Sequence, residues 1–112
     1  MKVAIPTANG MLTAHFGHCQ AFTIFEVDCE KSEILNTSEL IPPPHEPGVL
    51  PRVLGENGID VVIAGGMGSR AQQLFAERGI TVISGAPSLP AREVLERYLA
   101  NTLETGENAC DH

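Results

Sequence analysis

The chain has 112 residues, 43% of them apolar, and fourteen acidic against seven basic side chains give a formal charge of −7. That length makes one domain the default, and that apolar content supports a packed core. The charge argues against a nucleic-acid backbone or a membrane surface as partner, since no surplus of Lys and Arg exists to release counterions. With 4% aromatic residues and no Trp, base-stacking platforms are poorly supplied as well.

In chain order, residues 3–5 (Val-Ala-Ile) read as a short buried strand that Pro6 ends. Residues 7–20 are rich in Gly and His and hold no steady period, so a long loop is expected, and such loops are usually functional or disordered. Residues 21–27 alternate, with Phe22, Ile24 and Glu26 on one side and Thr23, Phe25 and Val27 on the other, as a strand does. A polar turn at 28–32 leads to a second strand at 33–40, placed at an edge, and the two form a hairpin. Residues 41–51 contain five of the eight prolines and cannot be regular. Val49, Leu50, Val53 and Leu54 then fall at helical spacing, stopped by Gly58.

From Ile59 the pattern changes to β–α units. Residues 61–64 (Val-Val-Ile-Ala) form an all-apolar run, as expected of a central parallel strand. Gly65, Gly66, Met67 and Gly68 follow, then a helix over 69–78 with Ala71, Leu74 and Phe75 inward. Residues 80–83 read as another buried strand, and 88–103 as an amphipathic helix with Pro90 in its first turn. The expected fold is α/β: a mixed five-stranded sheet with an antiparallel N-terminal hairpin and a parallel C-terminal half, flanked by helices. Residues 1–105 form the single domain and 106–112 a polar tail.

If the first, third, fourth and fifth of these strands run parallel, the loops that follow them emerge at one edge, where open α/β sheets bind ligands. That edge then collects the residues with chemistry. His15, Phe16, Gly17, His18 and Cys19 put two imidazoles and a thiol within five residues, donors that suit Zn, Cu and iron–sulfur species. The plain alternative is that Cys19 is a small core residue and the imidazoles are simply exposed. Gly65, Gly66, Met67 and Gly68 at a strand-to-helix turn could present backbone N–H groups to an anion, or be a tight turn only. Met67 adds a thioether or packs in the loop. The proline-rich segment holds His45 stiffly, as a wall of the site or a plain crossover.

Cys110 and His112 face one side of an extended tail, with Asp111 a candidate outer acceptor. The last helix carries that tail away from the loop-bearing edge, so ligation in the same molecule, donation to another subunit or partner, and a frayed end all stand open. Cys29, in the turn at the opposite edge, reads as incidental. The odd cysteine count and an apolar N-terminal stub too short for a signal peptide lead to the expectation of a soluble cytoplasmic protein with reduced thiols. Carboxylates lie mostly on helix surfaces and no orienting group accompanies Cys19 and His18, so catalysis is not expected.

Taken together, Val-Ala-Ile-Pro, HFGHC, PPPHEPGVLP, DVVIAGGMGSRA and the terminal N-x-C-x-H resemble the dinitrogenase iron–molybdenum cofactor biosynthesis family, which includes NifX-like proteins and the C-terminal part of NifB-like proteins. The resemblance runs over the whole chain. It implies an RNase H-like fold without nuclease activity and the binding or carriage of metal–sulfur clusters, including molybdenum-containing ones, or their precursors. Carried over onto this chain, it marks His15, His18 and Cys19 as the residues of interest, with the GGMG loop as a cradle; cluster donor or acceptor proteins are the expected partners. The resulting expectation is a non-catalytic carrier of a metal–sulfur cluster. Its rivals are a mononuclear Zn, Fe or Cu site built from Cys110, His112 and the loop imidazoles, and an anion- or nucleotide-binding module using the Gly loop. Oligomeric state stays open.

Overall fold

The structure, a computed structural model, describes residues 1–13, 19–43 and 48–103. The elements in chain order are β1 (Lys2–Ala8), β2 (Met11–Leu12), β3 (Ala21–Asp28), β4 (Glu33–Leu40), α1 (Val49–Glu56), β5 (Val61–Ile63), α2 (Ser69–Glu77), β6 (Thr81–Ile83) and α3 (Ala91–Leu99). Five strands form one mixed sheet in the order β4-β3-β1-β5-β6, and the two-residue β2 pairs with β1 as a sixth. β1 is antiparallel to β3, which is antiparallel to β4, whereas β1–β5 and β5–β6 are parallel. The expected α/β architecture is therefore present, with one short strand more than the sequence suggested.

Strand alternation sorts the core into two layers. Val3 and Ile5 of β1, Phe25 and Val27 of β3, and Val61 and Ile63 of β5 point to one face, where Val94 and Leu95 of α3 cover them. Ala4, Phe22, Val62 and Ala64 point to the other, where Leu54 of α1 and Phe75 of α2 close over them. The α/β/α sandwich follows from these alternations, since each face must be buried by a helix stripe.

Four local expectations are corrected. Pro6 does not end β1, which continues to Ala8. Met1 and Val27 exchange both backbone hydrogen bonds. Alternation along the antiparallel pair therefore turns the nitrogen of Pro6 away from β3. On its other side the Pro6 carbonyl accepts the Thr13 N–H at 3.0 Å, and the pairing with β5 is registered at Val3 and Ala4, so the missing N–H takes nothing from the β3 ladder. The loop after β1 contains β2, because Asn9 (φ 55°) and Gly10 (φ 80°) make a two-residue hairpin turn. β6 is a short edge strand, half-buried at Val82 and Ile83 and exposed at Thr81, not a buried one. The last helix is also shorter than expected, Ala91–Leu99, with Pro90 as its N-cap.

Candidate functional site

Because β1, β4, β5 and β6 run the same way, their C-terminal ends and the start of β3 share one edge of the sheet, as the strand directions required. The segment after β1 is held there at both flanks. Thr13 donates its N–H to the Pro6 carbonyl at 3.0 Å, and Gln20 donates to the neighbouring Thr7 carbonyl at 2.8 Å. Gln20 Oε1 also accepts the Asn9 N–H at 3.1 Å. Beneath them the buried Thr7 hydroxyl bonds the Ala21 carbonyl and the Thr23 hydroxyl, each at 3.2 Å. His15, Phe16, Gly17 and His18 lie between those flanks and outside the described residues, as do His45, Cys110 and His112.

Cys19 is the ligand candidate that can be placed. Its half-buried side chain packs against the layer that contains Phe22, Met67 and Phe75. Burial pushes its thiol above the ordinary value, with its own backbone N–H pulling the other way. Cys29 is exposed in the turn between β3 and β4 at the opposite end of the sheet.

The loop after β5 lies on the same face as Cys19. Gly65 and Gly66 are buried. Gly65 accepts the Gly85 N–H at 2.9 Å, and Ala64 accepts the Ala86 N–H at 3.1 Å, so the loops after β5 and β6 are stitched together. Met67 is 1% exposed, and its thioether belongs to the core beneath the loop. Gly68, the N-cap of α2, is exposed and extended (φ −61°, ψ 151°), a conformation open to any residue. A Cβ there would meet nothing within 4 Å. Neither backbone conformation nor packing demands glycine at this position.

The N-terminus of α2 has no side-chain cap and no acidic residue in its first turn. Its leading N–H groups have no partner within the helix, and they and the helix dipole favour a negative charge. Gln72 is a positioning residue that sequence reasoning missed. Its Nε2 donates to the Met67 carbonyl at 2.9 Å and ties the loop to the first turn of α2. A Gln one turn into the helix after a glycine loop is the only sequence signal it carries. Among the described residues no three His, Cys, Asp or Glu side chains stand close enough to hold a metal. None of the described helices is long and apolar enough to cross a membrane.

Residues 1–101 match the profile of the dinitrogenase iron-molybdenum cofactor family. An uncharacterized protein of Methanocaldococcus jannaschii is 30% identical over 113 residues, covering 96% of this chain and 92% of its own. The crystal structure of PH0822 superposes with a TM-score of 0.85 at 27% identity, covering 94% of each chain. The apo form of the orange protein from Desulfovibrio gigas shares the fold with a TM-score of 0.74 at 20% identity, over 96% of this chain and 93% of that one.

Proposed function

The chain belongs to the dinitrogenase iron–molybdenum cofactor family, and on that premise we propose that it is a non-catalytic carrier or scaffold for an anionic metal–sulfur cluster. The cluster is cargo, held at the edge where the loops after β1, β5 and β6 meet. The observation that carries this reading is the uncapped, acid-free N-terminus of α2 at Gly68, on the same face as the Cys19 thiol. Backbone N–H donors there suit sulfide and oxo groups, and a net charge of −7 does not oppose them, because the field at the site is set locally. Cys19 is a soft donor once deprotonated. His15 and His18 complete the proposed ligand set, and Phe16 and Gly17, between them in sequence, are proposed to share the binding. Gly68 leaves the backbone open to close approach, while the buried Gly65 and Gly66 make the turn and Met67 supports the loop from below. His45, Cys110 and His112 are proposed as further ligands from the proline-rich segment and the tail. Cluster donor or acceptor proteins are the proposed partners.

The test is anaerobic purification followed by metal, sulfide and visible-absorption analysis of the wild type, Gly68→Leu and the double variant His15→Ala with Cys19→Ala. The expected wild type binds sulfide and absorbs in the visible. Gly68→Leu should fold normally, since its side chain enters open space, but lose the chromophore. The double variant should lose both metal and colour. One colourless equivalent of zinc in the wild type, or metal content unchanged in the double variant, overturns the reading.

A further inference from the structure

The two edges of the sheet are treated very differently. β6 is three residues long, whereas β4 runs for eight, and six of those eight are exposed. β4 contains no proline and no lysine; what guards it is a register shift opposite Glu26 and Val27 and the carboxylates of Glu33 and Glu39, which leaves residues 36–40 regular and open to a partner that is not acidic. Leu35 is 60% exposed and Ile41, just past the strand, 70%. The Met1–Val27 exchange fixes the alternation along β3, and with it the pairing of Phe22 to Glu26 with Leu40 to Asn36, up to the register shift beyond Asn36. Asn36, Ser38 and Leu40 therefore spend their backbone groups on β3. Those of Thr37 and Glu39 face outward.

The charge around this edge is as uneven as its exposure. Residues 21–41 carry Glu26, Asp28, Glu30, Glu33 and Glu39 against Lys31 alone, so this hairpin holds −4 of the chain's −7. Elsewhere three of the five arginines are matched in i,i+4 pairs, Arg52–Glu56, Arg92–Glu96 and Arg97–Glu93. Among the described residues the five hairpin carboxylates have no ion pair. Beside the strand, on the α3 side, lies a cleft lined by Ile34 and Leu99, by Glu33, and by Glu96 with its partner Arg92, so that Glu33 is the unpaired charge there. It is on the face opposite Cys19 and Met67.

We infer that β4 is a docking edge for an extended, basic segment of a partner protein, which adds as a strand beside it. The segment pairs its backbone with Thr37 and Glu39 and sends alternate apolar side chains toward the cleft. Its Lys or Arg side chains meet the hairpin carboxylates. A second copy of the chain is the poorer occupant, because self-pairing would bring two −4 hairpins together. This inference is independent of the cluster site.

The probe is a blocked decapeptide alternating Lys with Val, against a matched peptide with Glu in place of Lys, read by amide chemical shifts and sedimentation. The Lys peptide should shift and protect the Thr37 and Glu39 amides, more weakly as salt rises, and the Glu peptide should not bind. Thr37→Pro removes an outward N–H only, so it should keep the fold and weaken the Lys peptide at least tenfold. If Thr37→Pro does not fold, the double charge reversal of Glu33 and Glu39 to Lys should switch preference to the Glu peptide. Absence of binding, shifts confined to other surfaces, or an unliganded dimer that Thr37→Pro disperses would overturn the assignment.

Discussion

A thiol ligates metal only after losing its proton, and the surroundings of Cys19 resist that loss. Half-burial penalises the thiolate and raises its pKa, so binding at this sulfur must release a proton. Zinc affinity should therefore strengthen as pH rises from about 6.5 to 8.5, and Cys19→Ser should lower proton release by about one per metal. Calorimetry in two buffers of different ionisation enthalpy reads this directly. The same shift bears on folding. Below the ordinary thiol value Cys19 is protonated whether folded or unfolded, and its contribution is fully present. As pH climbs past that value the unfolded chain ionises first, and stability falls until the folded thiol ionises too. Cys19→Ala should flatten that alkaline decline in a melting-temperature series. Gln72→Ala removes the bond to the Met67 carbonyl and should cost about 1 kcal/mol by denaturant unfolding. At this scale the sequence was informative about chemistry and silent about placement. HFGHC and GGMG are readable as donor-rich, yet nothing in them says that the Met67 sulfur is core while the Gly68 backbone is open.

Elements were legible where one periodicity governed them. The β3 alternation and the apolar run of β5 came out as read, because each strand buries defined faces of a sheet. Pro6 misled because its cost depends on which neighbour its nitrogen faces, and only the register of β1 against β3 reveals that. β2 was missed although Asn9 and Gly10 carry the hairpin signal, since a two-residue strand has no period of its own. Its role is structural: Leu12 is buried and donates to the Leu89 carbonyl at 2.9 Å, tying β2 to the segment that leads into α3. Two glycine substitutions test the distinction between conformation and access. Gly10→Ala forces a side chain into φ 80° with free space around it, so its cost is conformational, about 1–2 kcal/mol. Gly68→Ala meets neither strain nor neighbour and should leave the melting temperature within error. Thermal unfolding of the pair separates a glycine kept for the turn from one kept for what approaches it.

Across the whole molecule the excess negative charge is concentrated on one hairpin, and that makes salt a diagnostic. The three helix ion pairs are exposed and worth about 0.3–0.5 kcal/mol each, so losing them to screening changes little. The carboxylates of residues 21–41 repel one another along a strand about 20 Å long from Glu33 to Glu39, so a Debye length of about 10 Å at 0.1 M salt already suppresses most of the repulsion. Replacing Glu33 and Glu39 together by Gln removes half of that −4 charge without altering the backbone edge. The double variant should melt above the wild type at roughly 0.05 M NaCl, and the gap should close by roughly 0.5 M as screening replaces the mutation. A gap that persists at high salt would mean the glutamates act through strand propensity instead. A native protein that keeps such self-repulsion on its long, exposed edge sacrifices stability there, which is the pattern expected of a surface retained for an oppositely charged partner.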